Sequence, residues 1–203
     1  MSHFPSFYPV VDSAGWVRFL APLGVKLVQL RIKTLAPELI RHEVRAALAI
    51  CHSQHVQLAV NDHWQIALDE GADFIHLGQQ DVVDADLKAI RARGVKLGIS
   101  THDHAELDTA LALAPDYVAL GPIYPTTLKK MPWSPQGLSR LSEWKRLVGK
   151  LPLVAIGGIT LERATGCFDA GADCVAMVSD VTRHADPAAR VTDWVAATGR
   201  RYE

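Results

Sequence analysis

Three polar residues punctuate the apolar stretch LVQLRIK at 27–33. Gln29, Arg31 and Lys33 stand at every second position among Leu27, Val28, Leu30 and Ile32. On an extended chain alternate side chains share a face, so one amide and two cations point the same way. A lone buried charge is costly, and two like charges on one face call for an anion that both serve. Two carboxylates offer the complementary chemistry. Asp62 follows the run QLAVN, and Asp81 follows FIHLG in HLGQQD. If those runs are adjacent strands, roughly 5 Å apart, both acids reach one hard cation. Magnesium takes one or two carboxylates, keeps several waters and completes its shell with phosphate oxygens, so this set would cradle magnesium pyrophosphate. Taken alone, Asp62 would serve equally well as the start of a helix after its strand.

Further candidates sit at the ends of other apolar runs: Asn61 just before Asp62, Ser100 and Thr101 after KLGI, Gly157 and Gly158 in IGGIT, Val178 and Ser179 in MVSD. Glycines let backbone N–H groups approach an oxyanion, and helix N-termini add a favourable dipole. A tight strand-to-helix turn would use the same glycines. The longest connection without clear secondary structure runs from 122 to 134 and carries Thr126, Thr127, Leu128, Lys129 and Lys130. Connections of about 12–15 residues inside compact domains are usually functional or disordered. This one reads as a lid over anions or as a plain basic loop. His102 and His104, two apart, do not face each other on a helix and are read as cap and solvent residues. His76 is read as a structural hydrogen-bonding residue, and Trp133, Trp144 and Trp194 as packing residues.

These residues need a scaffold that gathers strand ends. Eight apolar runs of strand length, at 7–11, 26–32, 57–61, 74–78, 96–100, 117–121, 153–158 and 174–179, alternate with helix-like segments. Segment 36–55 repeats apolar residues at helical spacing. Segment 134–148 opens on Ser134 and Pro135, a cap and first-turn pair. Asp103 and Glu106 have capping-box spacing, and Gly71, Gly94 and Gly171 mark helix ends. Strand–helix alternation predicts a parallel sheet under helices, and eight units predict closure into an α/β (β/α)8 barrel, one domain over 1–203. An open doubly wound sheet is the alternative, but the first strand lacks the G-x-G-x-x-G turn of a dinucleotide binder. In a barrel, Gln29, Arg31 and Lys33 climb toward the C-terminal mouth, where ligands gather.

Bulk properties narrow the partners. The net charge of −1 leaves no basic field to attract nucleic acid or acidic lipid. No window reaches the ~18 apolar residues of a membrane span, and the N-terminus has no secretory pattern. Cys51, Cys167 and Cys174 are an odd number without CxxC spacing, which reads as reduced thiols in the cytoplasm.

Seven stretches in order, QLRIK, NDHW, HLGQQD, GISTHD, GPIYPTTLKK, AIGGIT and VS, make the sequence resemble the thiamine-phosphate synthase family along essentially its whole length. The resemblance implies a barrel that transfers the pyrimidinylmethyl group of hydroxymethylpyrimidine diphosphate to the ring nitrogen of hydroxyethylthiazole phosphate, or of its 2-carboxylate, releasing pyrophosphate. It implies Mg2+ on Asp62 and Asp81, and the pyrimidine diphosphate along Gln29, Leu30, Arg31, Ile32, Lys33 and Asn61. Ser100 and Lys129 would contact the pyrimidine and its pyrophosphate. Thr126, Thr127, Leu128, Gly158, Val178 and Ser179 would line the thiazole-phosphate site. Arg31, Lys33, Ser100 and Lys129 would carry the catalysis. Leu128 departs from the family's Thr-x-Thr-Lys loop, and Ile32 and Gln80 stand where Glu is common. Two alternatives share the fold: a thiazole tautomerase, which needs neither diphosphate nor magnesium, and a catalytically silent barrel that binds thiamine intermediates.

Overall fold

A computed structural model of the chain describes residues 4–126 and 133–199. Strands β1 (Phe7–Val11), β2 (Leu27–Leu30), β3 (Gln57–Asn61), β4 (Phe74–Leu77), β5 (Lys96–Thr101), β6 (Tyr117–Leu120), β7 (Leu153–Ile156) and β8 (Cys174–Met177) correspond to the eight apolar runs. All pair in parallel in sequence order, and Phe7 opposite Val175 closes the ring between β1 and β8. The expected (β/α)8 barrel is therefore the fold.

The helices alternate with the strands: α1 (Ala14–Leu20), α2 (Pro37–Gln54), α3 (Trp64–Asp69), α4 (Gln79–Asp84), α5 (Leu87–Ala92), α6 (His104–Ala112), α7 (Gly137–Val148), α8 (Leu161–Asp169), α9 (Ser179–Thr182) and α10 (Pro187–Gly199). Local chemistry sets their ends. The Asp103 carboxylate accepts from the Glu106 N–H at 2.9 Å, capping α6. The Glu106 carboxylate reaches back to the His102 N–H at 2.7 Å, one residue before a strict capping box requires. Gly71, Gly94 and Gly171 take positive φ after α3, α5 and α8, as their positions predicted.

One helix start differs from expectation. Ser134 and Pro135 do not open α7; the cap is Gln136 and the first helical residue Gly137. The cause is tertiary. The N–H groups of Gln136 and Gly137 donate to the carbonyls of Pro122 and Ile123 at 2.7 and 3.0 Å, so the chain is tied to the end of β6 before the helix can begin.

Strand alternation divides the core in two. One set of side chains, including Leu30, Ile32, Ile75 and Val118, packs outward under the helices, with Trp144 and Trp194 fully buried there. The other set fills the barrel: Tyr8, Leu27, Phe74, Tyr117, Val154 and Cys174 among them. Both layers are dry, so any polar group inside the barrel must find a partner within it or at the mouth. The three cysteines are buried and unbridged.

Candidate active site

The inward positions of successive strands climb to a cavity of about 330 Å³ at the C-terminal mouth. Its wall includes Gln29, Arg31, Asn61, His76, Ser100, Thr126, Gly157 and Val178, drawn from seven different strand ends. Gln29 is the last inward residue of β2. Arg31 lies just beyond the strand, held by its N–H donating to the Val11 carbonyl at 2.7 Å. Among the described residues its guanidinium has no carboxylate and no hydrogen-bond partner. Asn61 is 4% exposed, and its Nδ2 is the one buried side-chain polar atom among the described residues without a partner. An uncompensated cation and an orphaned amide donor in one cavity both call for an acceptor, and an anion suits them best.

Beside this cavity lies a polar recess lined by Ile32, Lys33, Asp62, His63, Trp64 and Asp81. Asp62 and Asp81 approach within hydrogen-bonding reach of each other. Partial burial works against charge on Asp62, but the Lys33 ammonium bonded to it wins and holds the carboxyl below the usual range. Burial and the Asp62 charge push Asp81 up instead. Asp62 also adopts a left-handed backbone, φ 64°, with its N–H on the His76 carbonyl at 2.9 Å. Such a conformation at a non-glycine residue is costly and is typical of residues held for function. Asp62 does not cap α3, whose N-cap His63 makes no side-chain bond to the helix.

The remaining expectations divide. Leu30 and Ile32 bury their side chains under the helices, so only their backbone can face a ligand; the Ile32 carbonyl is already 2.9 Å from His63 Nε2. Lys33 sits on Asp62 rather than on the face of Arg31. Gly157 lines the cavity, and at the neighbouring Gly158 a Cβ would stand 2.5 Å from the Pro125 carbonyl oxygen. That close approach requires glycine at 158. Val178 lines the cavity and caps α9, which Ser179 begins. Thr126 lies on the wall; Thr127, Leu128, Lys129 and Lys130 lie outside the described residues. Among the described residues no group of three or more His, Cys, Asp or Glu side chains that could hold a metal ion occurs; His102 and His104 contact Glu106 and Glu143.

Two residues of the site, Tyr8 and Tyr117, are not singled out by the sequence reading. Under the cavity floor runs a buried polar row. Gln29 Nε2 donates to the Tyr8 hydroxyl at 3.1 Å, and the Tyr8 and Tyr117 hydroxyls are 3.2 Å apart. The Tyr117 hydroxyl lies 2.6 Å from His76 Nδ1, and His76 Nε2 lies 2.8 Å from Ser100 Oγ. Burial pushes the His76 imidazole down to about 4, so it is neutral near pH 7. Period-two alternation on β1 and β6 places Tyr8 and Tyr117 inside, a signal available in the sequence once strand faces are assigned.

Behind Ser179, Asp180 is clamped from α10. Its carboxylate accepts from Arg190 Nε and Nη2, both at 2.9 Å, and from Trp194 Nε1 at 2.7 Å. Arg190 also reaches Glu162 on α8.

Fold and site define a (β/α)8-barrel protein whose C-terminal mouth sets the Arg31 guanidinium and the Asn61 amide beside an acidic recess. The family profile of thiamine monophosphate synthase matches residues 8–181, and the chain belongs to that family. It is 60% identical over 192 residues to the thiamine-phosphate synthase of Rhizobium etli, covering 95% of this chain and 94% of that protein. It is 45% identical over 193 residues to the thiamine-phosphate synthase of Salmonella enteritidis, covering 95% and 88%. The thiamine phosphate pyrophosphorylase of Pyrococcus furiosus shares the fold, with a TM-score of 0.85 at 23% identity and 96% of each chain covered.

Proposed function

We propose that this protein is a thiamine-phosphate synthase. It joins hydroxymethylpyrimidine diphosphate to hydroxyethylthiazole phosphate and releases pyrophosphate; with the 2-carboxylate as acceptor, CO2 also leaves and C2 takes up a proton. The observation that carries this reading is the pairing in one cavity of Arg31, a cation without a counter-charge among the described residues, with the orphaned Asn61 amide. A diphosphate satisfies both.

In the reaction the bond from the pyrimidinylmethyl carbon to the diphosphate oxygen breaks, and the thiazole nitrogen lone pair forms the new bond to that carbon. The electron-rich aminopyrimidine shares positive charge at the methylene, which favours a dissociative path. No side-chain nucleophile is needed, and with the uncarboxylated acceptor no proton transfer either. Arg31 and Asn61 stabilise charge on the departing pyrophosphate, and Lys129 is assigned to the same task. Ser100 orients the pyrimidine. Thr126, Thr127, Leu128, Gly158, Val178 and Ser179 are assigned to the thiazole phosphate, near the ends of the seventh and eighth strands where this fold often holds phosphate. The barrel's remaining task is to hold nitrogen beside carbon and exclude water.

The acidic recess fits Mg2+. Two carboxylates in mutual contact, with Lys33 as their one ion-pair partner among the described residues, are an oxygen donor set with surplus negative charge. Bound there by Asp62 and Asp81, the ion would neutralise the leaving diphosphate as a Lewis acid. With the metal holding Asp62, Lys33 would be available to the diphosphate. Buried, unbridged cysteines support a cytoplasmic working place.

Incubating the purified protein with both substrates and Mg2+ tests the reading. Thiamine phosphate and pyrophosphate in equal amounts, lost on chelation, are expected. Aromatised thiazole alone would mark a tautomerase, and binding without product a silent barrel.

A further inference from the structure

We propose that the buried row from Gln29 to Ser100 is a one-way hydrogen-bond chain that fixes His76 as its Nε2–H tautomer and turns Ser100 into a donor toward the substrate. His76 and Tyr117 are positioning residues for the reaction, and the pocket selects a ligand with an acceptor atom opposite Ser100. This inference rests on the reading of Ser100 as the pyrimidine contact.

The argument is one of counting protons. The Gln29 amide presents its nitrogen to Tyr8, at 3.1 Å, so the Tyr8 oxygen accepts. Tyr8 has a single proton and spends it on the Tyr117 oxygen, 3.2 Å away. Tyr117 then has one proton left, directed at His76 Nδ1 at 2.6 Å. An imidazole that accepts at Nδ1 carries its ring proton on Nε2. That proton lies along the 2.8 Å contact to Ser100 Oγ, so Ser100 accepts. Its hydroxyl proton has no acceptor left in the row, and Ser100 lines the cavity.

The polarity is hard to reverse. Gln29, Tyr8, His76 and Tyr117 are between 0 and 6% exposed, so each needs its partner within the row. Turning one link requires turning all of them, including the Gln29 amide, because the bonds polarise one another. An aminopyrimidine offers ring nitrogens as acceptors, which a Ser100 donor can read. A reversed row would leave Ser100 able only to accept, and a ring nitrogen would meet a lone pair.

Two measurements test this. Long-range 1H–15N spectra of the ligand-free protein read the His76 tautomer directly, with the resonance assigned by its loss in His76→Gln. Nε2–H is expected; Nδ1–H overturns the inference whatever the protein catalyses. The second measurement is kinetic. His76→Asn removes the donor toward Ser100 and is expected to lower kcat/KM about tenfold, the scale of one misdirected hydrogen bond. His76→Gln keeps a donor at the Nε2 position and recovers most of that loss. A pyrimidine diphosphate analogue with C–H in place of the ring nitrogen is expected to be discriminated against by the wild-type protein, and equally used by Ser100→Ala and His76→Asn. Equal kcat/KM for the two His76 variants, or unchanged discrimination in His76→Asn, overturns the positioning role. Absence of thiamine phosphate from the wild-type incubation defeats the functional reading instead, and the tautomer spectrum is unaffected by that result.

Discussion

The ring of Tyr117 occupies the space left by the missing side chain of Gly98. The two are paired across β5 and β6, and a Cβ on residue 98 would lie 2.6 Å from the Tyr117 hydroxyl oxygen and closer still to the ring carbons. A small inward residue on one strand thus lets a tyrosine cross the barrel to His76. Gly98→Ala is expected to cost about 1–3 kcal/mol by overpacking. Turnover should fall with it, because Tyr117 must move. Urea unfolding together with steady-state assay checks both, and an unperturbed Tyr117–His76 bond in the variant would contradict the account.

Asn61 has a function–stability conflict built in. Asn61→Leu replaces an orphaned buried amide by an apolar group of similar size, so the ligand-free protein should gain about 1 kcal/mol. Pyrophosphate affinity should drop in the same variant. Calorimetry with inorganic pyrophosphate and a thermal melt read the two effects separately.

Asp81→Asn removes one of two acids in contact. The metal-free protein is expected to be more stable by about 1 kcal/mol, while Mg2+-dependent turnover is lost. At Asp62 the backbone adds a further distinction: φ 64° suits Asn better than Ala. Asp62→Ala should therefore be about 1 kcal/mol less stable than Asp62→Asn, with both inactive. Equal melting temperatures would remove the strain argument.

Arg190 holds the short helix that Ser179 begins. Arg190→Met leaves the buried Asp180 carboxylate with Trp194 alone, at an expected cost of about 3 kcal/mol. If the clamp also sets the thiazole-phosphate site, KM for that substrate rises while KM for the pyrimidine diphosphate stays near its wild-type value. A parallel rise in both would reduce Arg190 to a stability role.

Acid sensitivity has an identifiable source away from the site. Hydrogen bonds from Arg45 and Arg41 hold the Glu70 carboxyl down to about 2 from its ordinary 4.5. A folded-state value below the unfolded one means that this contribution is complete above pH 4.5 and disappears as pH falls toward 2. The difference in Tm between the wild-type protein and Glu70→Gln should accordingly shrink across that window. A constant difference would show that the α2–α3 pairing does not act through charge.

Legibility followed the range of the interactions. Strands and most helix ends are local matters, so alternation, the Asp103 cap and the glycine stops could be read directly. The start of α7 could not, because carbonyls at 122 and 123 capture the N–H groups of residues 136 and 137. Arg31, Asn61, Asp62, Asp81 and Ser100 were readable as strand-end residues. The orphaned state of Asn61, the Lys33–Asp62 pair and the cavity position of Gly157 were not.

The sequence by itself determined the period of the chain, and with it eight parallel strands, two dry faces and the side of the barrel on which polar residues collect. Those follow from spacing along one segment at a time. Tertiary structure alone decided which groups inside the barrel touch. The row from Gln29 through Tyr8, Tyr117 and His76 to Ser100 draws on five strands. Its bonds depend on ring closure and strand register, which bring residues up to 109 positions apart within hydrogen-bonding distance.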